Sequence, residues 1–312
     1  MGLDVYLTYG NTWFVRDIEG DDYFGETPFS THDYYEDYKD IIKGIHIKDE
    51  PHKDEVPEFA NPTLIKDFEK VYPNAKYMVN IVGITAGGAY YGYDSYQYLF
   101  DDYVDSIVSK LKNPYISIDL YPFHNLAVEA EKQVALGYNI VAEGAKKTGA
   151  NKTFIMQAST GVEFYDELSE GDMRWQVYSA LAFGAHNIQY YCYSKPEGRD
   201  YNCCMLMPDN KTPSYLYYYV QEINNEIQSM ASTMLSYDWD KSIGICGTEE
   251  ISLRVASLAY DKNLEENKFD NAEHFDSATA THDLIVSRFT SEKHGESYMF
   301  GNFAEKEKSN TV

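Results

Sequence analysis

Between residues 41 and 234 short apolar runs alternate with longer amphipathic ones, and this order constrains the fold more than any other feature of the chain. Ile41, Ile42, Ile45 and Ile47 mark one strand, and the runs 77–82 (YMVNIV), 115–120 (YISIDL), 153–158 (TFIMQA) and 187–193 (NIQYYCY) mark four more. The alternating run 3–9 (LDVYLTY) reads as a strand ahead of them. Helices are predicted over 62–71, where Leu64, Ile65, Phe68 and Val71 share a face, and over 96–111, 126–148, 172–183 and 213–234. Strands separated by helices pair in parallel, because each helix supplies the crossover that a parallel partner needs. Six such strands precede residue 195, whereas a closed (β/α)8 barrel takes eight. The expected fold class is therefore α/β, a TIM barrel, and if the strand ending at Glu50 corresponds to the fourth of a barrel, the first two strands are the ones lacking. Residues 10–31 read as a long loop whose acidic run, 17–26, is most simply a solvated surface without calcium-loop spacing. Residues 32–40 read as a short tyrosine-rich helix.

Beyond about residue 240 the pattern changes. Residues 251–258, 283–289 and 295–303 alternate like antiparallel strands, and 261–281 reads as an acidic loop between them. The expected organisation is a barrel over 1–240 and the start of a C-terminal β-sandwich over 241–312.

One strand end stands out chemically. The run Gly44-Ile45-His46-Ile47-Lys48-Asp49-Glu50-Pro51 is a buried strand that stops on two adjacent carboxylates and a proline, which cannot extend a sheet ladder. Asp49 and Glu50 thus stand at a strand's carboxyl end, where a (β/α)8 barrel holds its catalytic groups; the alternative is an Asp-Glu pair that opens an ordinary solvated loop.

Composition narrows the partners. Asp and Glu number 50 against 26 Lys and Arg, a formal charge of -24, which disfavours nucleic acid and anionic membrane. Tyrosine, at 30 residues, far exceeds the 3 tryptophans and supplies rings with polar tips suited to sugars and to sheet surfaces alike. Cys192, Cys203, Cys204 and Cys246 form no CxxC or Cys/His spacing, and His46, His52 and His124 have no metal-ligand spacing. No metal or cofactor is indicated. The glycines at 83, 87, 88 and 92 lack the order of a dinucleotide fingerprint or a P-loop, and Ser159 and Ser194 lack a G-x-S-x-G context. No leader pattern follows Met1 and no long apolar run occurs; the compartment and the oligomeric state stay open.

Four motifs in order carry a resemblance: G-x-x-I-x-D-E-P at Gly44 to Pro51, Asp119-Leu120-Tyr121-Pro122, Gln157-Ala158, and R-x-Q-x-Y-x-A-L-A-x-G-A from Arg174 to Ala185 running into an aromatic strand. Together they resemble the bacterial glycoside hydrolase-like (β/α)8 barrels related to the β-galactosidase families. The resemblance covers roughly residues 40–240 and implies that the motif strands are the fourth, sixth and seventh of a barrel. It implies a carbohydrate substrate and places Glu50 where related barrels hold their acid/base. The preceding residue there is often Asn; here it is Asp49.

Glycoside hydrolysis commonly uses two carboxyl groups. Glu50 is the candidate acid: apolar neighbours and adjacent Asp49 both disfavour its anion. The second carboxylate is harder to place, because Gln157 occupies the position where a retaining enzyme of this kind carries a Glu. Three readings stay open: Asp119 is the partner; Glu163 swings in; or the protein binds sugar without cutting it. Tyr121, Tyr191 and Tyr193 are candidate sugar contacts, with plain packing as the alternative, and Arg174 is expected to hold a carboxylate such as Glu163 or Glu170.

Overall fold

The computed structural model describes residues 5–8, 40–124, 130–161, 164, 167–249, 254–259 and 268–304. The loop expected over 10–31, nearly all of the helix expected over 32–40, Glu163 and the start of the strand expected from 251 lie outside them. The chain forms two compact units, one of Met1–Val82, Ala86–Asp119 and Lys147–Lys152, the other of Gly83–Thr85, Leu120–Lys146 and Thr153–Val312.

In the first unit four strands pair in parallel in chain order: β1 (Val5–Thr8), β2 (Ile42–Asp49), β3 (Lys76–Ile81) and β4 (Tyr115–Asp119). Strand β2 alternates, with Ile45 and Ile47 buried and His46 and Lys48 half-buried, and it stops one residue before Glu50 as Pro51 dictates. Strand β4 is buried throughout, as expected for a parallel strand covered on both faces. The pairing of β2 with β3 contains an irregularity: Ile45 and His46 face Tyr77 and Met78, but Lys48 and Asp49 face Val79 and Asn80, so β2 carries one extra residue.

Helices α1 (Val56–Phe59), α2 (Pro62–Val71) and α3 (Tyr96–Ser106) complete this unit. The Asn61 side chain caps α2 by accepting from the Thr63 amide at 2.9 Å, and Pro62 suits the first turn because its missing N–H would be unpartnered there anyway. Phe68 of α2 meets Tyr77 of β3 edge-on at 5.1 Å, and the Tyr77 hydroxyl donates to the Phe59 carbonyl. Tyr103 of α3 likewise donates to the Val79 carbonyl at 2.9 Å. Each aromatic ring buried here contributes about 1.5–3 kcal/mol, and its hydroxyl fixes the helix against a particular strand residue.

In the second unit β5 (Asn151–Gln157), which begins in the first, pairs in parallel with β7 (Asn187–Tyr191), while the short β6 (Thr160–Gly161) and β8 (Tyr201–Cys203) pair antiparallel. Helix α4 (Val134–Thr148) precedes β5, α5 (Glu170–Ala182) precedes β7, and α6 (Tyr215–Met234) follows β8. Ser169 and Asp172 form a capping box at the start of α5, and Gly184 ends it at a φ of 73°. The described residues thus supply four parallel strands in one unit and two in the other, against the eight of a closed barrel.

Two of the expected C-terminal strands, 283–289 and 295–303, form as an antiparallel pair, while their third partner differs. A three-stranded antiparallel sheet runs β11 (Gly295–Asn302), β10 (Leu284–Ser291), β9 (Asp238–Ile245), and residue 240 lies inside β9. The described part of 251–258 holds no strand but a 3-10 turn, Ala256–Leu258. Where a sandwich would present a second sheet, the irregular segment 268–281 packs Phe269, Phe275 and Ala280 onto Ile243, Ile245, Leu284 and Val286. Helix α5 lies along β11, with Ala182 beside Gly301 and Trp175 against Phe303. No helix among the described residues is long and apolar enough to cross a membrane.

Candidate functional site

Glu50 follows β2 with a φ of 43°, a left-handed conformation that costs a side chain about 1–3 kcal/mol and persists only where the surroundings impose it. Its amide donates to the Asn80 carbonyl at 2.8 Å, so the turn is pinned to the end of β3. The half-buried side chain then accepts a 2.5 Å hydrogen bond from the Tyr91 hydroxyl, and the Asp119 carboxyl at the end of β4 acts on its protonation. Burial raises the Glu50 pKa above the ordinary carboxylate range; the Tyr91 hydrogen bond opposes this, the Asp49 charge adds to it, and the contacts with Asp119 and His52 oppose it.

Asp49 lies on the outer side of this arrangement. Its side chain is 64% exposed and is oriented by a row of strand-end polar groups: Ser117 Oγ donates to Asn80 Oδ1 at 2.9 Å, and Asn80 Nδ2 donates to Asp49 Oδ1 at 3.0 Å. The row follows the strand register, in which Asp49 faces Asn80 and Asn80 faces Ser117. Asp49 acts on Glu50 through its charge alone.

Tyr91 comes from a tight turn, Ala89–Tyr91, held by glycines on either side. A Cβ on Gly88 would meet the Ser95 carbonyl oxygen at 2.4 Å, and Gly92 has a φ of 86°. The Lys53 amide donates to the Tyr91 carbonyl at 3.0 Å, and the His52 ring lies 5.1 Å from the Tyr91 ring and 5.2 Å from that of the exposed Tyr90. Burial, followed by the hydrogen bond and charge of Glu50, keeps the Tyr91 phenol protonated. Sequence reasoning missed Tyr91, Asn80 and Ser117. The aromatic run Ala89-Tyr90-Tyr91-Gly92-Tyr93 between glycines is the one signal that points toward Tyr91.

The second unit gathers a separate set. Tyr121 stacks on Tyr191 at 5.6 Å, and Phe164 and Tyr201 close around them. Gln157, at the end of β5, is fully buried: its Oε1 accepts from the Phe123 amide at 3.1 Å and its Nε2 donates to the carbonyls of Phe123 and Ser159. Its backbone pairs with the Gln176 side chain in both directions. Tyr193 stands apart, 57% exposed. Arg174 pairs with Glu170 at 2.7 Å, as expected, and also takes Glu226 of α6 in a two-pronged grip at 2.6 and 2.9 Å, an ion pair between helices. No cluster that could hold a metal occurs among the described residues.

No family model matches the sequence, and no curated protein matches it. Among solved structures, one similar chain is named "putative alpha-L-fucosidase", from Bacteroides thetaiotaomicron VPI-5482, at a TM-score of 0.40 and 10% identity over 62% of this chain. Another is a beta-galactosidase from the psychrophilic Marinomonas ef1, at a TM-score of 0.41 and 15% identity over 59% of this chain. This chain spans 60% of the first protein's chain and 29% of the second's.

Proposed function

We propose that this chain carries the acid-bearing region of a glycoside hydrolase acting on an oligo- or polysaccharide, with Glu50 as general acid and Asp119 as the second carboxylate. The observation behind this reading is the state of Glu50: a strand-end carboxyl in a strained backbone conformation, its pKa raised by burial, with Tyr91 hydrogen-bonded to it. A proton donor for a leaving oxygen must stay protonated near neutrality, and burial favours that state. In this reading Glu50 protonates the leaving glycosidic oxygen, and the Asp119 anion acts as nucleophile or as base to a water.

One observation favours a rival reading, a non-catalytic carbohydrate-binding barrel. Gln157 has spent its amide on the Phe123 backbone and offers no nucleophile. A panel of aryl glycosides and polysaccharides separates the two readings. Turnover that falls by about 10²–10⁴-fold in Glu50→Gln is the expected result. Unchanged turnover in that variant would end the acid assignment. Sugar binding by calorimetry with no turnover would favour the rival.

A further inference from the structure

The tyrosine cluster of the second unit is bordered by two thiols with no part in the proposed chemistry. Cys192 follows β7 and Cys204 follows β8, and their sulfurs lie 3.3 Å apart with the Cys192 thiol donating. The backbones run side by side here: the Met205 amide donates to the Cys192 carbonyl at 3.1 Å and the Leu206 amide to the Tyr193 carbonyl at 2.8 Å. All four cysteines are free.

We infer that Cys192 and Cys204 are a thiol–disulfide modification site that takes a small-molecule disulfide as oxidant and closes to an intramolecular bridge between the ends of β7 and β8. One cysteine of the pair, as its thiolate, attacks one sulfur of the oxidant and expels the other as a thiolate, which takes up a proton. The second cysteine then loses its proton and attacks the protein sulfur of that mixed disulfide, expelling the second small thiol. Two protein thiols lose two electrons and two protons, and one small disulfide becomes two thiols. The Cys192 hydrogen bond favours the Cys204 anion against the penalty of burial, and the Lys195 charge assists. Cys203, although adjacent to Cys204, faces away toward the Thr160 hydroxyl at 3.4 Å and is not the partner. The bridge would brace the segment carrying Tyr191 and Tyr201 by limiting the unfolded chain.

The test incubates the full chain with oxidised glutathione, blocks free thiols with N-ethylmaleimide, and maps linked peptides by mass spectrometry. A Cys192–Cys204 peptide is expected in the parent chain and in Cys203→Ser, and none in Cys192→Ser or Cys204→Ser. The parent's Tm should rise by about 5 °C on oxidation and return on addition of dithiothreitol. A Cys203–Cys204 link, a stable glutathione adduct on Cys192 or Cys204, or full alkylation of both thiols while exposed Cys246 reacts would each overturn the site. A linked peptide with an unmoved Tm would overturn the brace.

Discussion

Glu50 and Gln157 both stand at the carboxyl end of a parallel strand, and their surroundings treat them in opposite ways. Gln157 is sealed from solvent, and its side-chain amide is bonded to backbone groups of Phe123 and Ser159. Glu50 is half-buried, holds a strained backbone conformation, and is met by a phenol and a second carboxyl. The difference teaches that strand-end position alone does not define a reactive group. A side chain that spends its hydrogen bonds on backbone holds the fold; one met by titratable partners keeps a proton available.

Stability measurements can break this contrast at its strong end. Gln157→Ala removes a buried amide that satisfies the Phe123 N–H and C=O, and should cost about 2–4 kcal/mol in denaturant unfolding. A cost near zero would show that Gln157 pins nothing. At Glu50 the backbone is what matters: Glu50→Gly should be more stable than Glu50→Ala by about 1 kcal/mol, because only glycine takes a positive φ without strain. The usual order, alanine above glycine, would refute the strained turn. A smaller effect tests the phenol. Tyr91→Phe removes a hydrogen bond that favours the Glu50 anion, so the Glu50 pKa should rise further. The alkaline limb of any glycosidase activity should then move to higher pH, and movement to lower pH would reverse the assigned role. The smallest effect is on the pH dependence of folding. The raised pKa of Glu50 means that its contribution to stability is full below the unfolded carboxylate pKa and is lost as pH rises through the folded value. Unfolding free energies of Glu50→Gln and the parent chain should therefore diverge across that window.

Much of the framework was legible because local chemistry wrote it. Apolar runs bounded by polar breaks gave β2 to β5 and β7 to within a few residues, and Asn61-Pro62 marked the start of α2. Strand β9 was not legible, since its Asp, Lys and Ser residues break the apolar pattern. They are accommodated by pairing: Trp239 Nε1 donates to Ser242 Oγ at 2.9 Å, and Ser242 meets Ser287 at 2.7 Å. Of the candidate site, the Asp49-Glu50-Pro51 stop announced itself, whereas the Tyr91 contact is set by how a glycine turn folds back over Glu50. No spacing rule encodes it. The grip of Arg174 on Glu226 was hidden for the same reason, as it joins two helices far apart in the chain.

The extra residue in β2 has a further consequence. Adjacent carboxylates in a sequence look interchangeable, and strand geometry makes them opposites. If β2 kept step with β3 beyond His46, Lys48 would face Asn80, and Asp49 would fall one place past the pairing, where Glu50 now turns toward Tyr91 and Asp119. The irregularity thus works as a counting device: by adding one residue upstream, it selects which of two neighbouring acids enters the interior and which stays in water.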